Sequence, residues 1–210
     1  MKITVIGLGY LGTTHAVVMA ELGHEVIGID PDSNRVEQLR AGRVPFFEPE
    51  LDDALTAALE RGTLRFETEH PVESAEADLH FLCVGTPERA GTHAANTDYL
   101  FAAVDALAPL LHDGAVVVGK STVPVGTAAL LQARLTEQLA ATGSSATARI
   151  AWNPEFLREG TAVLDSRQPD RIVAGVDDEL SEQRLREVYA PLIAAGSPFV
   201  VLDIPTAELV

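Results

Sequence analysis

Cysteine is almost absent from these 210 residues: Cys83 stands alone. No disulfide can form within the chain, which fits a reducing compartment, and the expected location is the cytoplasm. Positive charge is outnumbered. Fifteen lysines and arginines face 31 aspartates and glutamates, for a net charge of −16 and a pI near 4.6. Nucleic acid is therefore not an expected partner, because binding its phosphates needs a basic patch. No apolar run reaches the roughly 18 residues of a membrane span, so no membrane is expected either. The basic, then apolar N-terminus is only superficially like a signal peptide, since no small-residue cleavage site follows it. The histidines, His15, His24, His70, His80, His93 and His112, are scattered without metal-ligand spacing, and no metal is expected. Internal repeats and low-complexity tracts are missing too. A composition 47% hydrophobic and 22% charged suits a globular core. The length is that of one large domain, or of one domain with an appendage.

The first thirty residues carry the strongest pattern. Lys2 to Ile6 is a β-branched apolar run that reads as a buried strand. GLGYLG follows at once, with Gly7, Gly9 and Gly12 in G-x-G-x-x-G spacing, and Thr13 to Leu22 has helical composition ended by Gly23. Gly7 permits a tight turn, Gly9 lets a pyrophosphate approach the backbone, and Gly12 lets helix pack closely on strand. The helix N-terminus offers free N–H groups and the positive end of its dipole to phosphates. A second strand, Glu25 to Ile29, stops at Asp30, 18 residues beyond Gly12. An acid at that distance suits a ribose 2′-OH and repels a 2′-phosphate, favouring NAD over NADP. FAD shares the fingerprint, and a tight turn that binds nothing is the plain structural alternative.

Further along, Pro31 to Ala41 reads as a short helix with Asp32 or Ser33 as N-cap. Arg35 falls one turn into it, either near an adenosine or as a solvated charge. Gly42 to Pro49 is a proline-containing loop, Glu50 to Arg61 an amphipathic helix and Leu64 to Phe66 a brief strand. Asp78 to Val84 is a buried strand containing His80 and Cys83, which read as packed residues. Gly85, Thr86 and Pro87 follow it, at the strand end where parallel sheets bind ligands. Residues 88–97 are expected to form an irregular, mobile surface loop. Asp98 to Leu111 reads as a helix, Ala115 to Gly119 as a strand, Thr127 to Ala141 as a long helix and Gly143 to Thr147 as a flexible turn. Arg149 to Trp152, Arg171 to Gly175 and Phe199 to Leu202 read as strands, and Ser181 to Tyr189 as a helix. The alternation implies a doubly wound, Rossmann-like α/β fold: a parallel sheet covered on both faces, with the segment after Gly143 extending it.

Two turns could carry chemistry. Lys120, Ser121 and Thr122 follow a strand and precede a helix, where a hydroxyl can meet a ligand, position a water or simply cap the helix. In NPEFLREG, Asn153 to Gly160, Glu155 and Glu159 are four apart. On a helical turn both project to one side, beside Arg158, with Phe156 and Leu157 anchoring the segment. Paired carboxylates there suit acid–base work or ribose binding, or form a surface ion-pair cluster.

Together these motifs resemble the nucleotide-sugar dehydrogenases of the UDP-glucose/GDP-mannose dehydrogenase family. The matching pieces are GLGYLG, the Asp30/Arg35 pair, EPEL, VGTP, KSTVPVGT and NPEFLREG with TAVLDSRQPDRIV after it. They span essentially the whole chain, and the last two are far more specific than the glycine turn. PDRIVAG is more similar to the UDP-glucose 6-dehydrogenase branch than to the GDP-mannose branch. The resemblance implies oxidation of a sugar C6 alcohol to a carboxylate with two NAD+ per turnover, in nucleotide-sugar and polysaccharide metabolism, with UDP-glucose the favoured UDP-sugar. The implied cofactor contacts are Gly7, Gly9, Tyr10, Leu11, Gly12, Asp30, Arg35, Gly85, Thr86, Pro87, Ser121, Thr122 and Glu159. The implied sugar-nucleotide contacts are Glu155, Phe156, Leu157, Arg158 and Glu159. Glu155 resembles the family's acid–base residue and Thr122 its partner in ordering water. ERAGTHAANTDYL departs from the family's usual loop. The family's chain continues past TAELV with a lysine, a helix and a second domain bearing the thiol nucleophile, so residues 1–210 are expected to be an excised NAD-binding domain in which residues 143–210 carry part of the substrate site. Such a fragment is expected to bind NAD without turnover. A full-length protein is expected to be a homodimer; the fragment is free to be a monomer. A 3-hydroxyacid dehydrogenase, which also begins with GxGxxG, and a non-catalytic NAD-sensing module are the alternatives.

Overall fold

The computed structural model describes residues 1–89, 91, 92 and 94–210. His93, one of the scattered histidines, and Ala90, in the polar 88–97 stretch, lie outside the described residues. Strand β1 (Lys2–Ile6) leads through the glycine turn into α1 (Tyr10–Glu21). The helix begins one turn earlier than Thr13, because extended Gly9 serves as its N-cap and its carbonyl already accepts from Thr13 N. Residues Gly12 to Ala20 of α1 are buried, so this helix is apolar nearly all round and lies within the molecule. Strand β2 (Glu25–Ile29) follows, then α2 (Ser33–Arg40), capped by the Asp32 carboxylate, which accepts from the N–H groups of Asn34 and Arg35. Helix α3 (Leu51–Arg61) carries Asp52 and Asp53 in its first turn and ends at left-handed Gly62, φ 70°.

Strands β3 (Leu64–Glu67) and β4 (Leu79–Leu82) precede α4 (Asp98–Leu107). Helix α4 does not reach Leu111. Pro109 has no N–H to bond to the Asp105 carbonyl, and Ala108–Leu110 tightens into a 3₁₀ turn instead. The polar 88–97 stretch closes on itself through an antiparallel bridge between Glu88 and Ala95. Then come β5 (Val116–Gly119), α5 (Thr127–Ala141), β6 (Arg149–Trp152), α6 (Ala162–Arg167), β7 (Ile172–Gly175), α7 (Glu179–Val188), α8 (Ala190–Ala194), β8 (Phe199–Leu202) and α9 (Ile204–Leu209). Helix α7 starts two residues before Ser181, because the Asp178 carboxylate caps it, accepting from both Ser181 N and Ser181 Oγ.

The eight strands form one sheet in the order β3-β2-β1-β4-β5-β6-β7-β8, which bears out the doubly wound expectation. The strands up to β6 are parallel. The β6–β7 joint is antiparallel and rests on one register pair, Trp152 with Gly175, after which β7 and β8 are parallel again. Alternation along each strand divides the core. Ile3, Phe81, Val116 and Val118 pack under α1 and α3 on one face; Ile6, Leu82, Val117 and Trp152 pack under α4 and α5 on the other. The Trp152 ring lies where a Cβ on Gly119 would come within 2.1 Å of it, so the two strands close on each other only with glycine at 119.

Candidate functional site

Register brings the candidate residues together. Ile6 pairs with Ile29 on one side and Leu82 on the other; Leu82 pairs with Gly119, and Gly119 with Trp152. The turns that follow these strand ends, at 7–12, 83–87, 120–126 and 153–160, therefore share the carboxyl edge of the sheet, where open α/β sheets take their ligands.

The three glycines have different surroundings. Gly7 is left-handed at φ 90° and donates its N–H to the Ile29 carbonyl at 2.8 Å. A Cβ on Gly12 would stand 1.8 Å from the Gly7 carbonyl oxygen, whereas a Cβ on Gly9 would meet nothing within 4 Å. One glycine is needed for packing and the other leaves open approach to the backbone. Asp30, 4% exposed, accepts from Leu8 N at 2.7 Å and from Asp32 N at 2.9 Å. Arg35 Nη1 lies 2.8 Å from its Oδ2, so Arg35 is neither free nor merely solvated. A carboxylate has about four lone-pair sites, which leaves acceptor capacity at Asp30 for a hydroxyl. Tyr10 and Leu11 open α1, both half-buried.

At the next turns, Gly85 and Pro87 are exposed and Thr86 is half-buried. Thr86 Oγ1 donates to the Thr122 carbonyl at 2.8 Å, and Ser121 Oγ donates to the Val84 carbonyl at 2.6 Å. Neither hydroxyl at 121–122 caps α5, whose N-cap is Gly126. Thr122 is exposed, and its own hydroxyl makes no hydrogen bond among the described residues. Cys83 is buried, and burial pushes its thiol up to about 12.

The 153–160 segment corrects two expectations. It is not a helical turn: residues 153–158 have no regular structure and 159–160 form a turn, so the spacing of Glu155 and Glu159 does not bring them to one side. Arg158 pairs with Asp165 at 2.6 Å rather than with either glutamate. Phe156 is 37% exposed, with the Arg171 guanidinium 4.3 Å over its ring, so it anchors little. Glu155 Oε2 accepts from Leu157 N at 2.5 Å, and Leu157 is half-buried. Glu159 is exposed.

What holds the segment is a set of buried polar residues, of which Tyr189 carries no signal in the sequence pattern. Lys120 Nζ donates to Asn153 Oδ1 at 2.9 Å, Tyr189 OH donates to the same oxygen at 2.6 Å, and Asn153 Nδ2 donates to the Val173 carbonyl at 2.7 Å. Burial lowers the Lys120 ammonium to about 8, against the charges of Cys83 and Glu155, which raise it. Further out, buried Glu48 accepts from Tyr10 OH and Gly160 N. Its sequence signal is its place in EPEL, one of the pieces that carry the family resemblance. A cavity of about 250 Å³ opens between these groups, lined by Leu11, His15, Lys120, Glu155, Arg171 and Tyr189 among others.

Comparison with known proteins agrees with this geometry. The profile described as "UDP-glucose/GDP-mannose dehydrogenase family, NAD binding domain" matches residues 1–193. The UDP-glucose 6-dehydrogenase of Rhizobium meliloti is 41% identical over 212 residues, covering 100% of this chain and 48% of that protein. The solved UDP-glucose dehydrogenase of Pyrobaculum islandicum superposes with a TM-score of 0.86 at 40% identity, covering 99% of this chain and 47% of that one. A GDP-mannose dehydrogenase of Pseudomonas aeruginosa gives 0.88 at 28% identity, covering 100% and 48%. The chain spans about half the length of these relatives. It belongs to the UDP-glucose/GDP-mannose dehydrogenase family, as its NAD-binding domain.

Proposed function

We propose that this chain is the NAD-binding part of a UDP-glucose 6-dehydrogenase. The observation that carries the reading is the carboxyl edge itself: an open backbone at Gly9, a closed one at Gly12, and a buried Asp30 tied to both Leu8 and Arg35. The pyrophosphate of NAD fits over Gly9 at the N-terminus of α1. The adenosine ribose is held by Asp30 with Arg35 beside it, and Thr86, Thr122 and Glu159 flank the nicotinamide end. Bound NAD+ supplies a hydride acceptor for the C6 carbon of the sugar. Glu155 serves as acid–base residue; its Oε1 has no partner among the described residues, while Oε2 is held by Leu157 N. The Thr122 hydroxyl, which makes no hydrogen bond among the described residues, is available to order a water. The sugar nucleotide meets the Glu155–Glu159 stretch, UDP-glucose being favoured by the 40–41% identity to UDP-glucose dehydrogenases. Two NAD+ per turnover and a homodimer belong to the whole protein, and the lone buried thiol fits a reducing, cytoplasmic setting.

Calorimetry with NAD+ and NADP+, repeated with Asp30→Ala, tests the reading. NAD+ is expected to bind at least about tenfold more tightly, a difference of about 1.4 kcal/mol, and Asp30→Ala is expected to erase it. Equal binding of the two by the unmutated chain overturns the assignment of Asp30.

A further inference from the structure

Glu48 is a side chain that the proposed chemistry does not use. It belongs to EPEL, in the loop before α3, yet it is 6% exposed. No lysine or arginine pairs with it among the described residues. A carboxyl group buried without a cation is costly unless hydrogen bonds satisfy it. Three do. Tyr10 OH donates to Oε2 at 2.5 Å, Gly160 N donates to the same oxygen at 2.8 Å, and Val163 N donates to Oε1 at 3.3 Å. Gly160 N also lies 3.2 Å from Tyr10 OH, which closes a three-membered ring of contacts.

These donors come from separate parts of the carboxyl edge. Tyr10 is the first residue of α1, directly after the glycine turn. Gly160 follows Glu159 in a turn closed by Thr161 N donating to the Arg158 carbonyl at 3.0 Å. Val163 lies in the first turn of α6. Burial and the bond to Glu48 push the Tyr10 phenol up to about 12, with the Glu159 charge adding to the rise, so Tyr10 remains a donor at neutral pH. Phe46 packs against Tyr10 at 4.9 Å between ring centroids, which keeps the same loop on the ring. Glu159 is exposed on this turn, whose next residue, Gly160, is held by Glu48 through its N–H.

We propose that Glu48 is a positioning residue for the nicotinamide half of the cofactor site, because its carboxyl group fixes the turn carrying Glu159 against the turn carrying Gly9. The proposal rests on the reading of Glu159 as a cofactor contact. The pyrophosphate and adenosine side has its own supports, Gly7 N on Ile29 and Leu8 N on Asp30, which do not pass through Glu48. Loss of Glu48 is therefore selective: it weakens the end of NAD that ADP-ribose lacks.

The test is calorimetry of this chain with NAD+ and with ADP-ribose, for the unmutated protein, Tyr10→Phe, Glu48→Gln, Glu159→Gln and the double variant Glu48→Gln/Glu159→Gln. The preference for NAD+ over ADP-ribose should fall about tenfold in Glu48→Gln and in Glu159→Gln, and no further in the double variant, because both act through one contact. ADP-ribose affinity should stay within about twofold in Glu48→Gln, in Glu159→Gln and in the double variant. Tyr10→Phe keeps Gly160 on Glu48 and should move the preference the same way by about threefold, which decides the matter if Glu48→Gln does not fold. An unchanged preference in Glu48→Gln, or in Tyr10→Phe where Glu48→Gln is unfolded, overturns the proposal, as do additive losses in the double variant or equal loss of both ligands. An unmutated chain that binds neither ligand overturns the cofactor reading beneath it.

Discussion

Within one motif, neighbouring glycines should behave oppositely. Gly12→Ala places a methyl 1.8 Å from the Gly7 carbonyl oxygen, against backbone that cannot move aside, and is expected to cost about 3 kcal/mol or more of stability. Gly9→Ala meets nothing within 4 Å and sits in extended backbone open to any residue, so the urea midpoint should barely move while NAD+ binding collapses. A Gly9→Ala chain that unfolds early, or keeps its NAD+ affinity, refutes that division of labour. His80 makes a second prediction at this scale. It is buried in β4, its Nδ1 is 2.8 Å from Thr4 Oγ1, and burial lowers it to about 3, with His70 and His112 adding to the fall. An unfolded histidine titrates near about 6.5, so between those values the unfolded chain holds the extra proton. This contribution to stability is complete above pH 6.5 and is lost as pH falls toward 3. Melting temperatures from pH 7 to 4 should drop less steeply in His80→Gln; identical slopes would show that the buried imidazole is not a source of acid lability. His15, His24 and His70, also lowered by burial, keep some slope in the variant.

Among the elements, α5 depends on α9. Its N-cap is Gly126, which offers no side chain, and the missing acceptor comes from across the fold. The Glu208 carboxylate, in α9, accepts from Gly126 N and from Ala128 N, each at 2.6 Å. Glu208→Ala should cost about 1–3 kcal/mol in urea unfolding, because Ala128 N is buried and loses its acceptor. A change below about 0.5 kcal/mol would mean that water replaces the carboxylate. This long-range cap also shows where reading the sequence stops. The long elements were legible: α5 and β1 have the bounds their composition suggests, since periodicity and β-branched runs act locally. The short helices α6, α8 and α9 were not, because six residues or fewer carry too little period; α9 is tied down by Glu208 bonding to Gly126 and Ala128 of the α5 start, a contact far apart in sequence. The candidate site divides in the same way. The glycine turn, Asp30 and Thr86 follow from spacing and strand ends. Lys120, Asn153 and Tyr189 matter through burial and mutual hydrogen bonds, and Glu48 through burial and its bonds to Tyr10, Gly160 and Val163, which no spacing records. In NPEFLREG the i,i+4 spacing would put Glu155 and Glu159 on one side only on a helical turn, and the same spacing also occurs in the irregular chain found there.

Over the whole molecule, six parallel strands build the cofactor edge, and an antiparallel joint of one register pair carries β7 and β8 beyond it. The network from Lys120 through Asn153 to Val173 spans that joint, so β7 is tied to the site by a side chain as well as by sheet pairing. This edge can hold a dinucleotide, but complete oxidation of an alcohol to an acid by the family's route also needs a thiolate to hold the aldehyde. The chain's only thiol is Cys83, buried beside β4 with its N–H on the Ile6 carbonyl at 2.7 Å. With the thiol raised to about 12, roughly one in 10⁵ is ionised at pH 7. It also lies against the position of Gly12, where an added Cβ would approach the Cys83 Cβ at 3.0 Å, leaving no room for a sugar to reach it. The chain is therefore expected to bind NAD+ without turning over. Mixed with NAD+ and UDP-glucose, it should give no growth of NADH absorbance, and Cys83→Ser should leave NAD+ affinity within about twofold, because the thiol serves only as a small packed group. Sustained NADH formation that Cys83→Ser abolishes would show that the buried thiol opens to substrate and that these 210 residues suffice for the reaction.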